Sequence, residues 1–246
     1  MPFRRVECRS PNHDARPAGA AIDMLVLHYT GMMTADEALA RLCDPSAKVS
    51  AHYTIDTKGC VYVHVPEERR AWHAGASHWA GRNGVNDCSI GIELVNPGHE
   101  FGYVPFTDDQ IASLIDLARG ILARHPIPPG RVLGHSDVAP GRKTDPGELF
   151  PWAKLAENGI GTWPKGKNSP PPCGEVDPAL PERVGGKNTD FAKKLSRFGY
   201  GVPPKVDVPL EAVVAAFQRH FRAAKIDGIA DDECRAILAS LAGSDP

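Results

Sequence analysis

Residues 24–28 read Met-Leu-Val-Leu-His, an unbroken apolar run that ends in a histidine. A run of this length is enough for a buried β-strand and too short for a helix of ten or more residues. A second strand is predicted where residues 90–94 read Ile-Gly-Ile-Glu-Leu, with an apolar residue at every second position. The two segments together predict a β-sheet with a buried centre.

Turn and helix signals surround these two strands. A hairpin is predicted over residues 53–63, with Lys58-Gly59 at its turn. Thr107 followed by Gln110 forms a capping box, and apolar residues then recur at helical spacing up to His125. Two further elements are a helix over residues 34–42 and a strand over residues 131–133. The pattern predicts the α/β class, with a central mixed β-sheet flanked by helices.

A proline-rich stretch divides the chain. Residues 164–186 contain six prolines mixed with Lys, Gly, Asn and Ser, a composition typical of a semi-rigid linker. The linker separates a larger domain, residues 1–163, from residues 187–246, where apolar side chains recur at helical spacing. We predict a small three-helix domain there, with core stripes at Phe191, Leu195 and Phe198, at Leu210, Val213, Val214, Phe217 and Phe221, and at Cys234, Ile237, Leu238 and Leu241.

The composition excludes several classes of protein. The 246 residues carry a formal net charge of −2, so we expect no nucleic acid partner and no polybasic membrane surface. No apolar run approaches the roughly 18 residues that a transmembrane helix needs. No apolar stretch follows Arg4-Arg5, as it would in a secretory signal. We therefore expect a cytoplasmic location, with the periplasm or cell envelope as the alternative. We also expect a monomer.

The six cysteines are scattered, and no two of them form a C-x-x-C motif. In a chain of this size without a signal sequence, this spacing predicts reduced thiols. Neither a disulfide framework nor a cysteine-based zinc site is expected.

Three polar residues have the chemistry of a metal site. His28 stands where the buried strand emerges, and His135 and Asp145 belong to a loop rich in Pro and Gly at residues 134–147. Two imidazoles and one carboxylate form a donor set for catalytic zinc, and they leave a fourth position for water. Such a cation lowers the pKa of bound water to about 7 and polarises a carbonyl group. A structural histidine and a solvated charged loop remain the alternatives. The chain has no H-E-x-x-H motif, which disfavours a zincin-type protease.

Two charged residues near this set could take part in catalysis. Glu93 lies on the strand face opposite Ile90, Ile92 and Leu94, and a carboxylate there must be paired, hydrated or functional. It could accept a proton from water. Lys143, two residues before Asp145, could stabilise an oxyanion. The alternatives are a structural ion pair for Glu93 and a free surface amine for Lys143.

Six segments of residues 1–163 carry a family resemblance: LVLHYTGM at 25–32, VSAHYTID at 49–56, AWHAG at 71–75, NDCSIGIELVNPG at 86–98, GHSDVAPGRKTDPG at 134–147 and FPW at 150–152. In this order they resemble the zinc-dependent N-acetylmuramoyl-L-alanine amidases of the second amidase family. That family is related to the peptidoglycan recognition proteins and to the T7-type lysozyme amidase. The resemblance implies the same fold, with Zn²⁺ held in a surface groove.

The resemblance also implies roles for individual residues. Zinc ligands are implied at His28, His135 and Asp145, and catalytic roles at Glu93 and Lys143. The reaction would be hydrolysis of the amide that joins the lactyl group of N-acetylmuramic acid to L-alanine of the stem peptide. The partners would be muropeptides or the sacculus, with substrate contact suggested for His73 and Asn86. His52 and Trp72 also fall in matching segments.

The C-terminal residues resemble a three-helix peptidoglycan-binding domain, through LSRFGY at 195–200, AVVAAFQRHFR at 212–222 and KIDGIADDECRAIL at 225–238. A stabilising appendage is the alternative for this unit. For the whole chain, the alternatives are a non-catalytic peptidoglycan recognition protein and a different zinc hydrolase, such as a stem peptidase. The recycling branch of the family tends to carry an extra arginine where this chain has Gly84, so the choice between anhydro and intact muramic acid stays open.

Overall fold

The computed structural model describes residues 4–164 and 185–241. Its centre is a six-stranded mixed β-sheet with the strand order β1-β5-β4-β9-β3-β10. Two small two-stranded sheets, β2 with β6 and β7 with β8, lie beside it. The strands are β1 (Arg5–Glu7), β2 (His13–Ala15), β3 (Met24–Tyr29), β4 (Tyr53–Ile55), β5 (Val61–Val63), β6 (Arg69–Ala71), β7 (His78–Trp79), β8 (Arg82–Asn83), β9 (Ser89–Leu94) and β10 (Val132–Gly134).

Strand β3 contains the apolar run of residues 24–27, and it lies between β9 and β10 with both pairings parallel. A strand with parallel neighbours on both sides is covered on both faces, which explains why its residues are continuously apolar. Strands β4 and β5 pair antiparallel, which confirms the predicted hairpin. The mixed sheet with flanking helices confirms the predicted fold class.

The helices are α1 (Ala35–Cys43), α2 (Gly98–Phe101), α3 (Asp108–Arg124), α4 (His135–Val138), α5 (Trp152–Glu157), α6 (Gly185–Phe198), α7 (Leu210–Phe221) and α8 (Asp232–Leu241). Short 3₁₀ turns cover Val85–Cys88 and Pro129–Arg131. Helix α3 begins with the predicted capping box, in which the Thr107 side chain accepts the Gln110 backbone N–H and the Gln110 side chain returns to the Thr107 N–H.

The alternation of side chains along β3 gives the sheet two different faces. Leu25 and Leu27 point toward α3 and pack in one apolar core. Met24 and Val26 point to the other face and pack in a second core, together with side chains from α6, α7 and α8. His28 shares the second face, at the end of the strand.

The C-terminal helices form at the three predicted places and pack on the larger part of the chain. Tyr200 forms a β-bridge with Trp79, and both side chains are fully buried in the shared core. The predicted linker, residues 164–186, falls mostly outside the described residues, and the division into two domains stays a prediction. Within the described residues, no helix combines the length and apolar character that crossing a membrane requires.

Candidate active site

The strand register brings together histidines that are far apart in the sequence. In the parallel pair β3–β10, Leu27 is level with Gly134, so the next residues, His28 and His135, leave the same edge of the sheet side by side. On the other side of β3, Glu93 of β9 is level with His28 itself. Residues at the same level of adjacent strands point to the same face. The sheet therefore presents two imidazoles and a carboxyl group at one point.

Asp145 completes this cluster through the loop that follows α4. The Ser136 backbone N–H donates a hydrogen bond of 2.9 Å to the Asp145 carbonyl oxygen, and the Lys143 N–H donates one of 3.0 Å to the Ala139 carbonyl. These bonds fold the loop back on α4. They place the Asp145 side chain against the two histidines.

His28, His135 and Asp145 bring three potential ligand atoms to one place. The distances are 3.0 Å from His28 Nδ1 to His135 Nδ1, 3.0 Å from His28 Nδ1 to Asp145 Oδ2, and 3.1 Å from His135 Nδ1 to Asp145 Oδ2. All three residues are buried. Two imidazole nitrogens and a carboxylate oxygen that face one another so closely could hold a metal ion.

The surroundings of His28 and Asp145 favour the protonation states that bind a cation. Burial, together with the neighbouring His135, lowers the pKa of His28 to about 4, so its imidazole is neutral at pH 7. Burial works against ionisation of Asp145, but the His135 and His28 imidazoles outweigh it and hold the pKa of Asp145 below its usual range. For His28 and Asp145, the neutral imidazole and the ionised carboxylate are the forms that ligate metal.

Glu93 lies in the groove beside this cluster, and its Oε2 is buried without a hydrogen-bond partner in the described part of the chain. Burial and the nearby Asp145 raise the pKa of Glu93 well above its ordinary value, while Lys143 opposes the shift. A buried carboxyl oxygen without a partner is costly unless water or a ligand meets it. Glu93 is thus available to a molecule in the groove.

A second layer of contacts orients the histidine nitrogens of this cluster. His135 Nε2 donates a hydrogen bond of 3.0 Å to the Ala74 carbonyl, which leaves Nδ1 as the acceptor that faces His28. His28 Nε2 is 3.1 Å from His73 Nδ1, and His73 Nε2 is 3.1 Å from Ser89 Oγ. His73 lines the groove but is only 8% exposed, and both of its ring nitrogens face protein atoms.

Asn86 does not line the groove. Its side-chain oxygen accepts the backbone N–H of His73 at 3.3 Å and that of Ala74 at 2.8 Å. It therefore holds the segment on which His73 and the His135 partner Ala74 lie. Substrate contact by Asn86 stays a prediction that these bonds do not support directly.

Arg142 is a site residue to which the sequence analysis assigned no role. Its guanidinium donates hydrogen bonds of 2.7 Å to the carbonyl oxygens of Ala74 and Ala76, and it approaches His135 Nε2 at 3.3 Å. It ties the loop after α4 to the segment that orients His135. Its place directly before Lys143, in a loop rich in ionisable residues, is the sequence signal that could have indicated it.

A groove of about 390 Å³ lies over the cluster. Its floor includes His135, Asp145 and Glu93, and α1 forms one wall through Ala38, Arg41 and Leu42. The groove is also lined by Trp72 and Lys143. His52 lies deeper and is fully buried, where its Nδ1 accepts the Gly91 backbone N–H at 2.9 Å.

The family comparison and the similar curated proteins all point to one family of amidases. Residues 18–148 match the family described as N-acetylmuramoyl-L-alanine amidase. The N-acetylmuramoyl-L-alanine amidase AmiD of Escherichia coli (strain K12) is 41% identical over 244 residues, which cover 92% of this chain and 84% of AmiD. The 1,6-anhydro-N-acetylmuramyl-L-alanine amidase AmpD of Enterobacter cloacae is 36% identical over 163 residues, which cover 59% of this chain and 85% of AmpD.

Two solved structures extend the similarity to the C-terminal helices. The complex of Escherichia coli AmiD with anhydro-N-acetylmuramic acid-L-Ala-D-γ-Glu-L-Lys superposes with a TM-score of 0.76 at 38% identity, covering 93% of this chain and 92% of AmiD. AmpDH3 of Pseudomonas aeruginosa, in complex with anhydromuramic pentapeptide, gives a TM-score of 0.75 at 35% identity, with 91% and 92% coverage. With its fold, its site geometry and this similarity over most of its length, the chain belongs to the N-acetylmuramoyl-L-alanine amidase family.

Proposed function

We propose that this chain hydrolyses the amide bond between the lactyl carbonyl of 1,6-anhydro-N-acetylmuramic acid and the L-alanine of the stem peptide, in peptidoglycan recycling. The observation that carries the proposal is the buried triangle of His28, His135 and Asp145 atoms, with the unpartnered Glu93 carboxyl in the same groove. The anhydromuramyl peptides bound by AmiD and AmpDH3 support this class of substrate.

His28, His135 and Asp145 would hold Zn²⁺, which suits two nitrogen ligands and one oxygen ligand. When bound, the ion supplies a water of lowered pKa and polarises the scissile carbonyl. The protein contributes one negative charge to this site, from Asp145. The second layer, in which Ala74 fixes His135 and His73 fixes His28, would keep both imidazoles pointed at the ion.

Glu93 would act first as the general base and then as the general acid. Its carboxylate would accept a proton from the water molecule as the water oxygen bonds to the lactyl carbonyl carbon. It would then give that proton to the alanine nitrogen as the C–N bond breaks. The products are a muramic acid carboxylate and a peptide with a free amino terminus. The Lys143 ammonium, also on the groove, would balance the negative charge that develops on the carbonyl oxygen.

For the two predicted substrate contacts, the geometry favours different roles. His73 lines the groove and could touch the sugar or peptide, while it also positions His28. Asn86 binds the backbone of the His73–Ala74 segment, so we propose that it acts on the substrate through that segment.

The direct test is turnover of a defined anhydromuropeptide with mass analysis of both products. We expect His135→Ala to lose bound zinc and activity together, whereas Glu93→Gln keeps its zinc and loses about 10²–10⁴-fold in kcat, the usual scale of acid–base catalysis. His78→Ala serves as a matched control, because this half-buried histidine contacts Asn83 outside the site. Near-full turnover by Glu93→Gln would refute its role.

Product analysis also separates the alternatives. A stem peptidase would cut between amino acids and leave alanine attached to muramic acid, and a recognition protein would bind the ligand without turnover. Parallel assays on polymeric sacculi would show whether intact muramic acid is also accepted. Cell fractionation would test the predicted cytoplasmic location against the envelope, and gel filtration would test the predicted monomer.

A further inference from the structure

Two cysteines outside the amidase site are in contact at the C-terminal end of α1. Cys8 follows β1, and Cys43 is the last residue of α1. Their sulfur atoms are 3.4 Å apart, although 35 positions separate them in the sequence. Both are free thiols and partly exposed, while the other described cysteines, Cys60, Cys88 and Cys234, are buried. This contact was not expected from the scattered spacing of the cysteines.

We infer that Cys8 and Cys43 are a thiol–disulfide site, which reversibly links the N-terminal segment to α1. A disulfide requires an S–S distance of about 2.05 Å, so the two sulfurs must approach by little more than an ångström. Because the other described cysteines are buried, we expect the two sulfurs to be oxidised with each other or with an external disulfide.

The hydrogen bonds of His64 favour a disulfide site over a metal site at this pair. Together with Cys8 and Cys43 it forms a possible ligand set, with its Nδ1 at 3.7 Å from Cys43 Sγ. However, His64 Nδ1 donates a hydrogen bond of 2.7 Å to the Cys8 carbonyl oxygen, and Nε2 accepts from Thr54 Oγ1 at 2.9 Å. A neutral imidazole has one acceptor nitrogen, and Thr54 occupies it. Two sulfurs alone are a poor metal site.

The chemistry requires an external disulfide, such as oxidised glutathione or a protein disulfide. The Cys8 thiolate would attack one sulfur of that molecule, forming a mixed disulfide and releasing one thiol. The Cys43 sulfur would lose its proton to solvent and attack Cys8 Sγ, forming the Cys8–Cys43 bond and releasing the second thiol. The protein is oxidised by two electrons, and the external disulfide is reduced by two.

The disulfide would reinforce a contact that hydrogen bonds already make between the N-terminal segment and the end of α1. Ser10 Oγ donates a hydrogen bond of 2.5 Å to the Leu42 carbonyl, and Asn12 Nδ2 donates one of 2.7 Å to the Asp44 carbonyl. Helix α1 forms one wall of the substrate groove. A covalent bond at its last residue would therefore fix that wall to the edge of the sheet in an oxidising compartment, while the same contact stays a dithiol in a reducing one.

The test uses the full-length protein, reduced and then equilibrated with oxidised glutathione. Remaining thiols are alkylated, and a non-reduced digest is analysed by mass spectrometry. We expect one internal bond that joins Cys8 to Cys43, and a Tm for the oxidised protein roughly 5–10 °C above the reduced one. Alkylation of both residues after oxidation would overturn the inference.

Two variants and a metal titration complete the test. Cys43→Ser should keep glutathione on Cys8 as a stable mixed disulfide and show no rise in Tm, whereas Cys60→Ser, a change at a buried cysteine elsewhere, should still form the bond. Adding Zn²⁺ alone to the reduced protein tests the competing interpretation, in which the pair binds a metal ion. If Zn²⁺ protects Cys8 and Cys43 from alkylation, and a chelator rather than a reductant removes the protection, the pair is a metal site and the inference fails.

Discussion

At the scale of single residues, Gly91 shows how much the site depends on one missing methyl group. A Cβ atom built on Gly91 would lie 2.4 Å from His73 Cγ. The His73 ring, in turn, is the partner of His28 Nε2. Because real Cβ atoms do not approach a ring so closely, any larger residue at position 91 must displace His73.

We therefore predict that Gly91→Ala lowers the free energy of unfolding by about 1–3 kcal/mol, the usual cost of overpacking. It should also reduce the zinc affinity of the proposed metal site, since His28 loses its oriented neighbour. Urea unfolding and a competitive chelator assay measure the two effects. Gly120→Ala is the matched control, because its Cβ would meet only the flexible end of Arg124, at 3.2 Å, inside helix α3. That control should be neutral or slightly stabilising.

Glu67, far from the groove, carries a pH-dependent part of the stability. Burial opposes its ionisation, but hydrogen bonds from Arg124, Tyr53 and His125 outweigh this and lower the pKa of Glu67 from 4.5 to about 2. A carboxyl group whose pKa is lower in the folded state stabilises the protein above its unfolded pKa. That contribution is lost as the pH falls from about 4.5 toward 2.

The prediction is that Glu67→Gln costs about 1–3 kcal/mol at pH 7, where the charged carboxylate is fully bonded. The difference from the wild type should shrink steadily below pH 4.5. Denaturant unfolding at several pH values from 7 to 3 measures it. A difference that is constant with pH would mean that the carboxyl charge is not what stabilises this position.

At the scale of secondary structure elements, helix α3 illustrates what local sequence can predict. The capping box at Thr107 and Gln110 and the apolar stripe behind it were sufficient to predict the helix, because both depend only on residues within a few positions of each other. The Thr107 hydroxyl also donates a hydrogen bond of 2.8 Å to the Thr57 carbonyl in the β4–β5 turn, which no local pattern indicates.

Thr107→Ala should therefore cost about 1–2 kcal/mol, at the upper end for the loss of an N-cap, because a contact with the hairpin is lost as well. Thr34→Ala, at the cap of α1, is the natural comparison. That hydroxyl also accepts a helix N–H within a capping box, and it makes no further hydrogen bond within the described part of the chain. Thermal unfolding of both variants tests this. Equal losses would show that the Thr57 contact contributes little.

At the scale of the whole molecule, one buried carboxylate connects the C-terminal helices to the turn that carries His135. Asp137 accepts hydrogen bonds from the Gly134 N–H at 2.7 Å, from the Tyr200 hydroxyl at 2.6 Å and from His220 Nδ1 at 2.7 Å. The His220 ring stacks on Trp152 with centroids 3.7 Å apart. The C-terminal unit thus supports the active site structurally, whether or not it binds glycan.

We predict that Tyr200→Phe, which leaves Asp137 Oδ1 short of a donor, lowers stability by about 1–3 kcal/mol. It should also speed the loss of zinc from the proposed metal site to a chelator, because Asp137 lies two residues after His135. Tyr62→Phe is the control, since it removes a weaker 3.2 Å hydrogen bond to Asp56 away from the groove. If the two variants release zinc at the same rate, the C-terminal helices do not support the metal site through Asp137.

Local sequence was enough to indicate the secondary structure elements and the types of ligand-bearing side chain. Apolar period and capping signals act over a few residues, so strand β3, the hairpin, helix α3 and the three C-terminal helices were predictable. The six matching segments indicated the family, together with His28, Glu93, His135, Lys143 and Asp145 as candidates.

Which of these residues come into contact depends on the tertiary fold. The parallel register of β3 with its two neighbours brings His28 beside His135 and Glu93, and it depends on strand pairings between distant segments. The same holds for the Arg142 bonds to the segment before β7, for the contact of Cys8 with Cys43 and for the Asp137 network. Each is a contact between parts of the chain that no local pattern relates, so packing of the whole molecule had to bring them together.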